Sequence, residues 1–310
     1  MQAKPKAFRT ELYDLVRKNI NPRFRGMVDD IKNGIEAKRP YDRVSEIVLP
    51  HGRGAGATSA VLLSLLYAVE KDYEERHLQY VREDNPKWVA KQKRDFKKFY
   101  PRPEQNRDVK GDVAIVCQTQ NELCTIMSQL RWAIMKLGLS ENYAFRHHLG
   151  FEHLPSGAKI RVFVCRPGDM FRGWGTKYLF IPDVDRLENP DVYYALLQSA
   201  LLRFAHEVNT FCISDFSAPP EYDHWVYSLF RKPVECRWFH RYFATFKTVP
   251  RAWLGEGFYR SATYVQEESP EAFRVEFLGK RPKRPKRWKL SLRHFLKTRS
   301  PRRQYSGLRY

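Results

Sequence analysis

A buried-strand segment, a glycine-rich turn and a helix follow one another directly near the start of this chain. Residues 45–49 are predicted to be the strand, and the turn from Pro50 to Thr58 contains three glycines. Apolar residues then recur at helical spacing from Val61 to Val69. A phosphate-binding loop requires this local structure, because backbone N–H groups at a helix N-terminus can face an anion. The order predicts an α/β fold.

The rest of the chain continues the alternation. Residues 1–40 are predicted to be helical. Thr119 can cap a helix, with Glu122 as its capping-box partner, and Asn189–Pro190 opens another. Four more strands are predicted, at 112–117, 159–165, 178–181 and 210–213. This alternation predicts a mostly parallel sheet flanked by helices.

The loop departs from the general pattern Gly-x-x-x-x-Gly-Lys-Ser/Thr. His51 takes the first glycine position, Ala57 the lysine position and Thr58 the hydroxyl position. Arg53 could supply a positive charge from elsewhere in the loop. The motif alone leaves two interpretations open, a phosphate site and a turn with no ligand. The candidate phosphate-binding residues are Gly52, Arg53, Gly54, Gly56, Ala57 and Thr58.

The charge of the chain is concentrated at its C-terminal end. The chain has 55 Lys and Arg against 35 Asp and Glu, a net charge of +20, and residues 280–310 hold 13 of the basic residues and no acidic one. Self-repulsion and three prolines predict an extended rather than a packed tail. Its expected partner is nucleic acid; the alternative is a tail that only aids solubility. The predicted contacts are Lys280, Arg281, Lys283, Arg284, Lys286 and Arg287.

A second basic stretch lies at 87–98. Lys91 and Arg94 fall with Lys87 and Lys98 on one predicted helix face. This face either contacts nucleic acid or is simply solvated.

Several classes of protein are disfavoured. The longest apolar stretch, residues 60–69, is too short to span a membrane, and the first residues are polar. Five widely spaced cysteines with no Cys-x-x-Cys pair suggest neither a disulfide framework nor a zinc site. The expected location is therefore the cytoplasm.

A series of segments resembles one known family. His51–Thr58 resembles the loop Gly-Gly-Arg-Gly-Ser-Gly-Lys-Ser of the large terminase subunit of tailed phages, in its PBSX-like group. The other matching segments, in the same order and spacing, are 116–123, 129–139, 154–160, 175–181, 216–220, 224–227 and 267–279. The resemblance covers the ATPase portion of that subunit, from about residue 43 to 279.

The resemblance implies a P-loop NTPase-like fold that acts in DNA packaging. The loop at 52–58 would hold ATP, Thr58 and Asp183 would bind Mg²⁺, and Asp183 would activate water. Asp185 and Arg53 are further catalytic candidates, because they could compensate for altered motifs. The implied partners are double-stranded DNA, the small terminase subunit and the portal, in the host-cell cytoplasm. Cutting of the DNA would come from a separate nuclease chain.

The departures from the family favour an alternative. The loop lysine is Ala57, a usual arginine is Cys117, and the usual pair of acids reads Pro182–Asp183. The asparagine of the coupling segment corresponds to Ala218. Pseudo-ATPases of this kind would retain the fold and act as non-catalytic DNA-binding or assembly subunits. A third interpretation is a general nucleic-acid-binding module.

The expected organisation has four parts. They are an N-terminal helical segment (1–42), an ATPase-like domain (43–250) with an insertion at 72–109, a closing segment (251–279) and the basic tail (280–310).

Overall fold

The computed structural model describes residues 7–36, 46–83, 112–146, 150–165, 176–187, 189–201, 210–219, 221–229 and 239–284. The helices are α1 (Ala7–Lys18), α2 (Arg25–Glu36), α3 (Ala57–Glu83), α4 (Gln120–Lys136), α5 (Pro190–Leu201), α6 (Glu256–Glu268) and α7 (Pro270–Glu276). The strands are β1 (Glu46–His51), β2 (Val113–Cys117), β3 (Tyr143–Arg146), β4 (Gly150–His153), β5 (Ala158–Val164), β6 (Tyr178–Ile181), β7 (Phe211–Ser217) and β8 (Phe239–Arg241).

The described strands form one sheet in the order β3-β4-β5-β2-β6-β7-β1-β8. Six adjacent strands, β5-β2-β6-β7-β1-β8, run parallel to one another. β3 and β4 add an antiparallel hairpin at one edge. The predicted α/β fold with a mostly parallel, helix-flanked sheet is confirmed.

Alternating side chains of the central strands bury both faces of the sheet. Ile47 and Leu49 of β1 pack in a cluster with α1, α2, α3 and α4, whereas Val48 packs on the opposite face with α5. A parallel sheet covered on both faces needs such continuous apolar strands. The result is a helix–sheet–helix sandwich in which both faces of the sheet are covered, so a ligand could reach the sheet at the ends of its strands.

The predicted helix starts are confirmed by their hydrogen bonds. The Thr119 side chain accepts from the Glu122 N–H over 3.2 Å, and the Glu122 carboxylate accepts from the Gln118 N–H over 2.6 Å. Asn189 accepts from the Val192 N–H over 3.1 Å. These caps fix where α4 and α5 begin.

Two elements run further than the sequence predicts. α3 continues through Glu83, into the region predicted as an insertion. β7 continues to Ser217 rather than ending at Ile213. Ser214 and Asp215 are polar, so they end an apolar run. Pairing with β1 as far as Ser217, and with β6 as far as Ser214, keeps this part of the chain in the strand.

The C-terminal helices form a small aromatic cluster beside the start of α3. Phe246, Phe258, Phe273 and Phe277 pack together, with Phe273 stacked on Phe277 at 5.4 Å between ring centroids. Among the described residues, no helix is long and apolar enough to cross a membrane.

Candidate functional site

The candidate site lies at the carboxyl ends of four neighbouring parallel strands. In sheet order these are β2, β6, β7 and β1. β6 leads into Pro182–Asp183, β7 carries Asp215 near its end, and β1 leads into the glycine-rich loop, residues 52–56. Ligands of open α/β sheets bind at this edge, because the loops and helix N-termini there converge.

The loop turns at two glycines and delivers free donors to this edge. Gly54 and Gly56 have φ of 78° and 72°, in the left-handed region that favours glycine. The backbone N–H groups of Ala57, Thr58 and Ser59 have no acceptor among the described residues. They are the orphan donors of the first turn of α3, and together with the helix dipole they suit an anion.

Neighbouring segments hold the loop in place. The Asn21 amide is buried, and it donates to the Ala55 carbonyl over 3.1 Å and to the Thr248 hydroxyl over 2.9 Å. The Gly52 N–H donates to the Ala244 carbonyl over 3.0 Å. The loop is therefore fixed by the N-terminal helices and by the segment after β8.

The end of α7 packs on the outer side of the loop. The Arg53 N–H donates to the Glu276 carbonyl over 2.7 Å, and a Cβ added to Gly52 would lie 2.1 Å from the Phe277 carbonyl oxygen. The Arg53 guanidinium lies 4.0 Å from the Glu276 carboxylate and over the Phe277 ring, with 65% of the side chain exposed. The described contacts of Arg53 are thus with this segment rather than with the acids of the site.

Asp215 joins three strand ends. Its carboxylate is fully buried, and it accepts from the Thr58 hydroxyl over 3.1 Å and from the Asp183 N–H over 2.9 Å. Asp183 has a φ of 45°, a left-handed conformation that aspartate tolerates, and its carboxylate pairs with Arg186 at 3.3 Å. Burial, followed by the charge of Asp183, holds the pKa of Asp215 well above its usual range.

His51, the last residue of β1, completes this cluster. Its Nδ1 lies 3.3 Å from the Gly52 carbonyl and its Nε2 lies 4.0 Å from the Asp215 carboxylate. Burial lowers the pKa of His51, so the ring is neutral at pH 7. One ligand atom each from His51, Asp183 and Asp215 lie within 4.8 Å of one another.

Two further acids approach from the flanks. Burial raises the pKa of Asp185 to about 6, with the charge of Asp183 adding to the shift, and burial and Asp183 also raise the pKa of Glu122. One carboxylate oxygen of each is buried without a hydrogen-bond partner among the described residues, as are His51 Nε2 and Gln118 Nε2. Such polar atoms usually have partners in native proteins, so these four make the strand ends a candidate site for a polar ligand.

The altered motif positions are packed rather than solvated. Ala57 is 3% exposed and belongs to the core, so it brings no charge to the loop. Cys117 and Ala218 are buried as well, and burial raises the pKa of the Cys117 thiol, which keeps it protonated. The sites of the expected loop lysine, second-strand arginine and coupling asparagine are therefore apolar.

The first residues of the basic tail pack on the molecule, contrary to the expectation of an unpacked segment. Arg281 donates to the Tyr222 carbonyl over 2.9 and 2.6 Å and lies over the Tyr222 ring at 3.9 Å. Hydrogen bonds from the Arg274 guanidinium, and then from the Lys283 N–H, to the Glu271 carboxylate lower the pKa of Glu271 to about 2. Local carbonyl and carboxylate acceptors outweigh charge repulsion here.

The structure describes two of the other predicted nucleic-acid contacts. Lys280 and Arg284 are exposed at the described start of the tail. Lys91, Arg94, Lys286 and Arg287 lie outside the described residues.

Sequence reasoning missed Asp215 and gave His51 only a place in the loop pattern. The available signal for Asp215 is an acid two residues after an apolar run, but a residue expected to lie beyond a strand has no predicted pairing partner. Only the pairing of β7 with β1 and β6 places it beside Thr58 and Asp183.

Comparison with known proteins gives a fold but no family. No protein-family model and no curated protein matches the sequence. Among solved structures, the large terminase of bacteriophage HK97 is similar with a TM-score of 0.54 at 12% identity, over 82% of this chain and 50% of that one. The large terminase of a thermophilic bacteriophage is similar with a TM-score of 0.51 at 10% identity, over 82% of this chain and 53% of that one.

The ATPase domain of the Thermus phage P74-26 large terminase covers 81% of this chain and 92% of its own, at 11% identity and a TM-score of 0.46. This chain spans about half the length of the HK97 terminase and of the thermophilic phage terminase. At such identities the likeness concerns the fold, and the chain has a large-terminase-like α/β fold.

Proposed function

We propose that this chain binds ATP with Mg²⁺ at the loop 52–58 and serves as a DNA-dependent motor domain in phage DNA packaging. The observation that carries the proposal is the joint placement of the loop, the free N–H groups of α3 and the Thr58–Asp215–Asp183 cluster at one edge of the sheet. Phosphates and a divalent cation need these two kinds of group side by side.

The residues present fit such a ligand. The N–H groups of Ala57, Thr58 and Ser59 would bind phosphate oxygens. The Thr58 hydroxyl and the oxygens of Asp183 and Asp215 are the hard donors that Mg²⁺ prefers, and the cation would neutralise phosphate charge when bound. Asp183 would orient a water molecule and accept its proton, since its carboxylate is partly exposed at the mouth of the site.

Two arginines near the loop could provide the positive charge that a loop lysine usually provides. Arg53 is exposed on the loop, and the Arg186 guanidinium, 57% exposed, lies 3.3 Å from Asp183. Either could turn toward a bound phosphate. Because phosphoryl transfer depends on charge neutralisation, we expect hydrolysis to be slower than in a protein with the complete motif.

The remaining assignments follow the same proposal. Residues 43–250 with the closing segment 251–279 would form the ATP-dependent domain, preceded by the helical segment 1–42. The exposed basic residues of the tail and the face at 87–98 would contact DNA phosphates. Double-stranded DNA, the small terminase subunit and the portal are the proposed partners.

Steady-state ATP hydrolysis with and without duplex DNA tests this function. We expect hydrolysis that DNA stimulates and that Asp183→Asn abolishes. Asp191→Asn, which alters an exposed acid in the first turn of α5, is the matched control and should retain the rate. Hydrolysis that survives in Asp183→Asn would contradict the assignment of this residue.

A non-catalytic subunit is the second candidate, and the apolar packing at Ala57 and Cys117 favours it. Equilibrium binding of a fluorescent ATP analogue separates the two. Binding with no DNA-stimulated hydrolysis would favour the pseudo-ATPase, and absence of both would leave the fold as a DNA-binding or assembly scaffold.

A further inference from the structure

Asp215 lies beside Pro182 on the neighbouring strand, so it brings an acid to the part of the sheet edge where Pro182 supplies none. Ile181 of β6 pairs with Ser214 of β7, so Pro182 and Asp215 are the next residues along two adjacent parallel strands. The Asp215 carboxylate then bonds both the Thr58 hydroxyl and the Asp183 N–H. A carboxylate is therefore present at this edge, supplied from the neighbouring strand.

The contacts of the His51 imidazole leave its Nε2 suited to bind a metal ion. The Gly52 carbonyl can only accept a hydrogen bond, so the 3.3 Å contact is a hydrogen bond in the tautomer that carries its hydrogen on Nδ1, and that tautomer has a lone pair on Nε2. Ligating histidines commonly have their other nitrogen fixed by a backbone carbonyl in this way. Nε2 is buried with no hydrogen-bond partner among the described residues and lies 4.0 Å from Asp215.

The three side chains have suitable spacing. Their ligand atoms lie within 4.8 Å of one another. Metal–ligand bonds of about 2.0–2.2 Å put ligands on opposite sides of one cation about 4.0–4.4 Å apart. A small contraction of the cluster would let one cation contact all three side chains. The cation would compensate the negative charges of the two neighbouring carboxylates.

We propose that His51, Asp183 and Asp215 form a site for a first-row transition-metal dication that is occupied without nucleotide and prefers Mn²⁺ to Mg²⁺. The imidazole nitrogen is the reason for this preference, because Mg²⁺ favours oxygen ligands and gives up water reluctantly. The site does not depend on the proposed ATPase activity, and the two proposals can fail separately.

Binding of Mn²⁺ alone to the full chain tests the site. Titration followed by electron paramagnetic resonance should give one bound Mn²⁺ per chain, and electron spin-echo spectra should show modulation from an imidazole ¹⁴N. Mg²⁺ should displace the Mn²⁺ only at a concentration about tenfold higher or more.

Two variants and a control identify the ligands. His51→Gly restores the glycine of the general loop pattern, and it should abolish the ¹⁴N modulation and weaken Mn²⁺ binding by about tenfold or more. Asp215→Asn keeps the shape of the side chain and should also weaken binding. His240→Gln changes a histidine paired with Asp30 at 2.6 Å, outside the site, and should leave both readouts unchanged.

Circular dichroism would confirm folding, and His51→Gln would replace His51→Gly if the latter does not fold. Modulation that persists without His51, absence of bound Mn²⁺, or equal competition by Mg²⁺ would each overturn the proposal. Mn²⁺ binding without binding of the ATP analogue would refute only the proposed function. ATP binding without nucleotide-free Mn²⁺ binding would refute only the metal site.

Discussion

The hydroxyl of Thr58 donates a hydrogen bond to the carboxylate of Asp215 across 3.1 Å. Thr58 lies in the first turn of α3 and Asp215 lies in β7, 157 residues later in the chain. This bond fixes the start of the helix against a strand that also contacts Asp183. The loop and the acids are thereby connected by hydrogen bonds, so a substitution at Thr58 or Asp215 should change the position or stability of the other residue.

Replacing Thr58 with valine should destabilise the protein. The change keeps the shape of the side chain but leaves a fully buried carboxylate oxygen without its donor, which costs about 1–3 kcal/mol. Thr58→Ser retains the hydroxyl and should lose less than about 1 kcal/mol. Urea unfolding measures both free energies, and equal losses in the two variants would show that the hydrogen bond contributes nothing.

The two left-handed glycines of the loop should respond differently to alanine. A Cβ at Gly56 meets nothing within 4 Å, so Gly56→Ala should cost only the backbone strain of about 1 kcal/mol. A Cβ at Gly54 would lie 2.5 Å from the Phe258 ring, so Gly54→Ala should cost about 2 kcal/mol or more. In a protein that already carries Phe258→Ala, the contact is absent. The free-energy costs of Gly54→Ala and Gly56→Ala should then differ less than they do in the wild-type protein. An equal difference in the two backgrounds would show that the Phe258 ring does not cause the extra cost at Gly54.

Asp185→Asn should stabilise the protein at neutral pH and not in acid. The pKa of Asp185 is about 6 in the folded protein and 3.8 in the unfolded chain, so the folded state binds the proton more tightly. Stability therefore falls as pH rises from about 4 to 6. The variant should gain on the order of 1 kcal/mol at pH 7.5, and the gain should vanish near pH 4.

Chemical unfolding of both proteins at the two pH values provides the measurement. Asp191→Asn, in an exposed first turn of α5, should show no such gain. A pH-independent difference for Asp185→Asn would mean that packing rather than ionisation is responsible.

The tail should provide salt-dependent affinity for DNA. Arg281 is left in place because it holds the Tyr222 carbonyl. Replacing six other basic residues with glutamine should weaken binding to duplex DNA and lower the salt slope by up to about 5. The six are Lys280, Lys283, Arg284, Lys286, Arg287 and Lys289.

Fluorescence anisotropy at several salt concentrations gives the slope. The comparison variant replaces Lys136, Lys247 and Arg260, which are exposed elsewhere on the molecule. If the slope falls equally per charge in both variants, the tail has no special role and only net charge matters.

Local sequence determined much of this protein. Apolar runs and helical spacing predict the strands and helices, and the caps at Thr119 and Asn189 predict where two helices begin. These features depend on residues within a few positions of one another, so the sequence contains them directly. The strand, turn and helix from 45 to 69 likewise locate the loop.

Tertiary structure alone decided the composition of the site. Strand order puts β7 between β6 and β1, and only that order brings Asp215 to Thr58, Asp183 and His51. It also decided that Arg53 lies against Glu276. Such contacts join residues far apart in the chain, and their partners are selected by sheet pairing and burial, for which a single sequence carries no local signal.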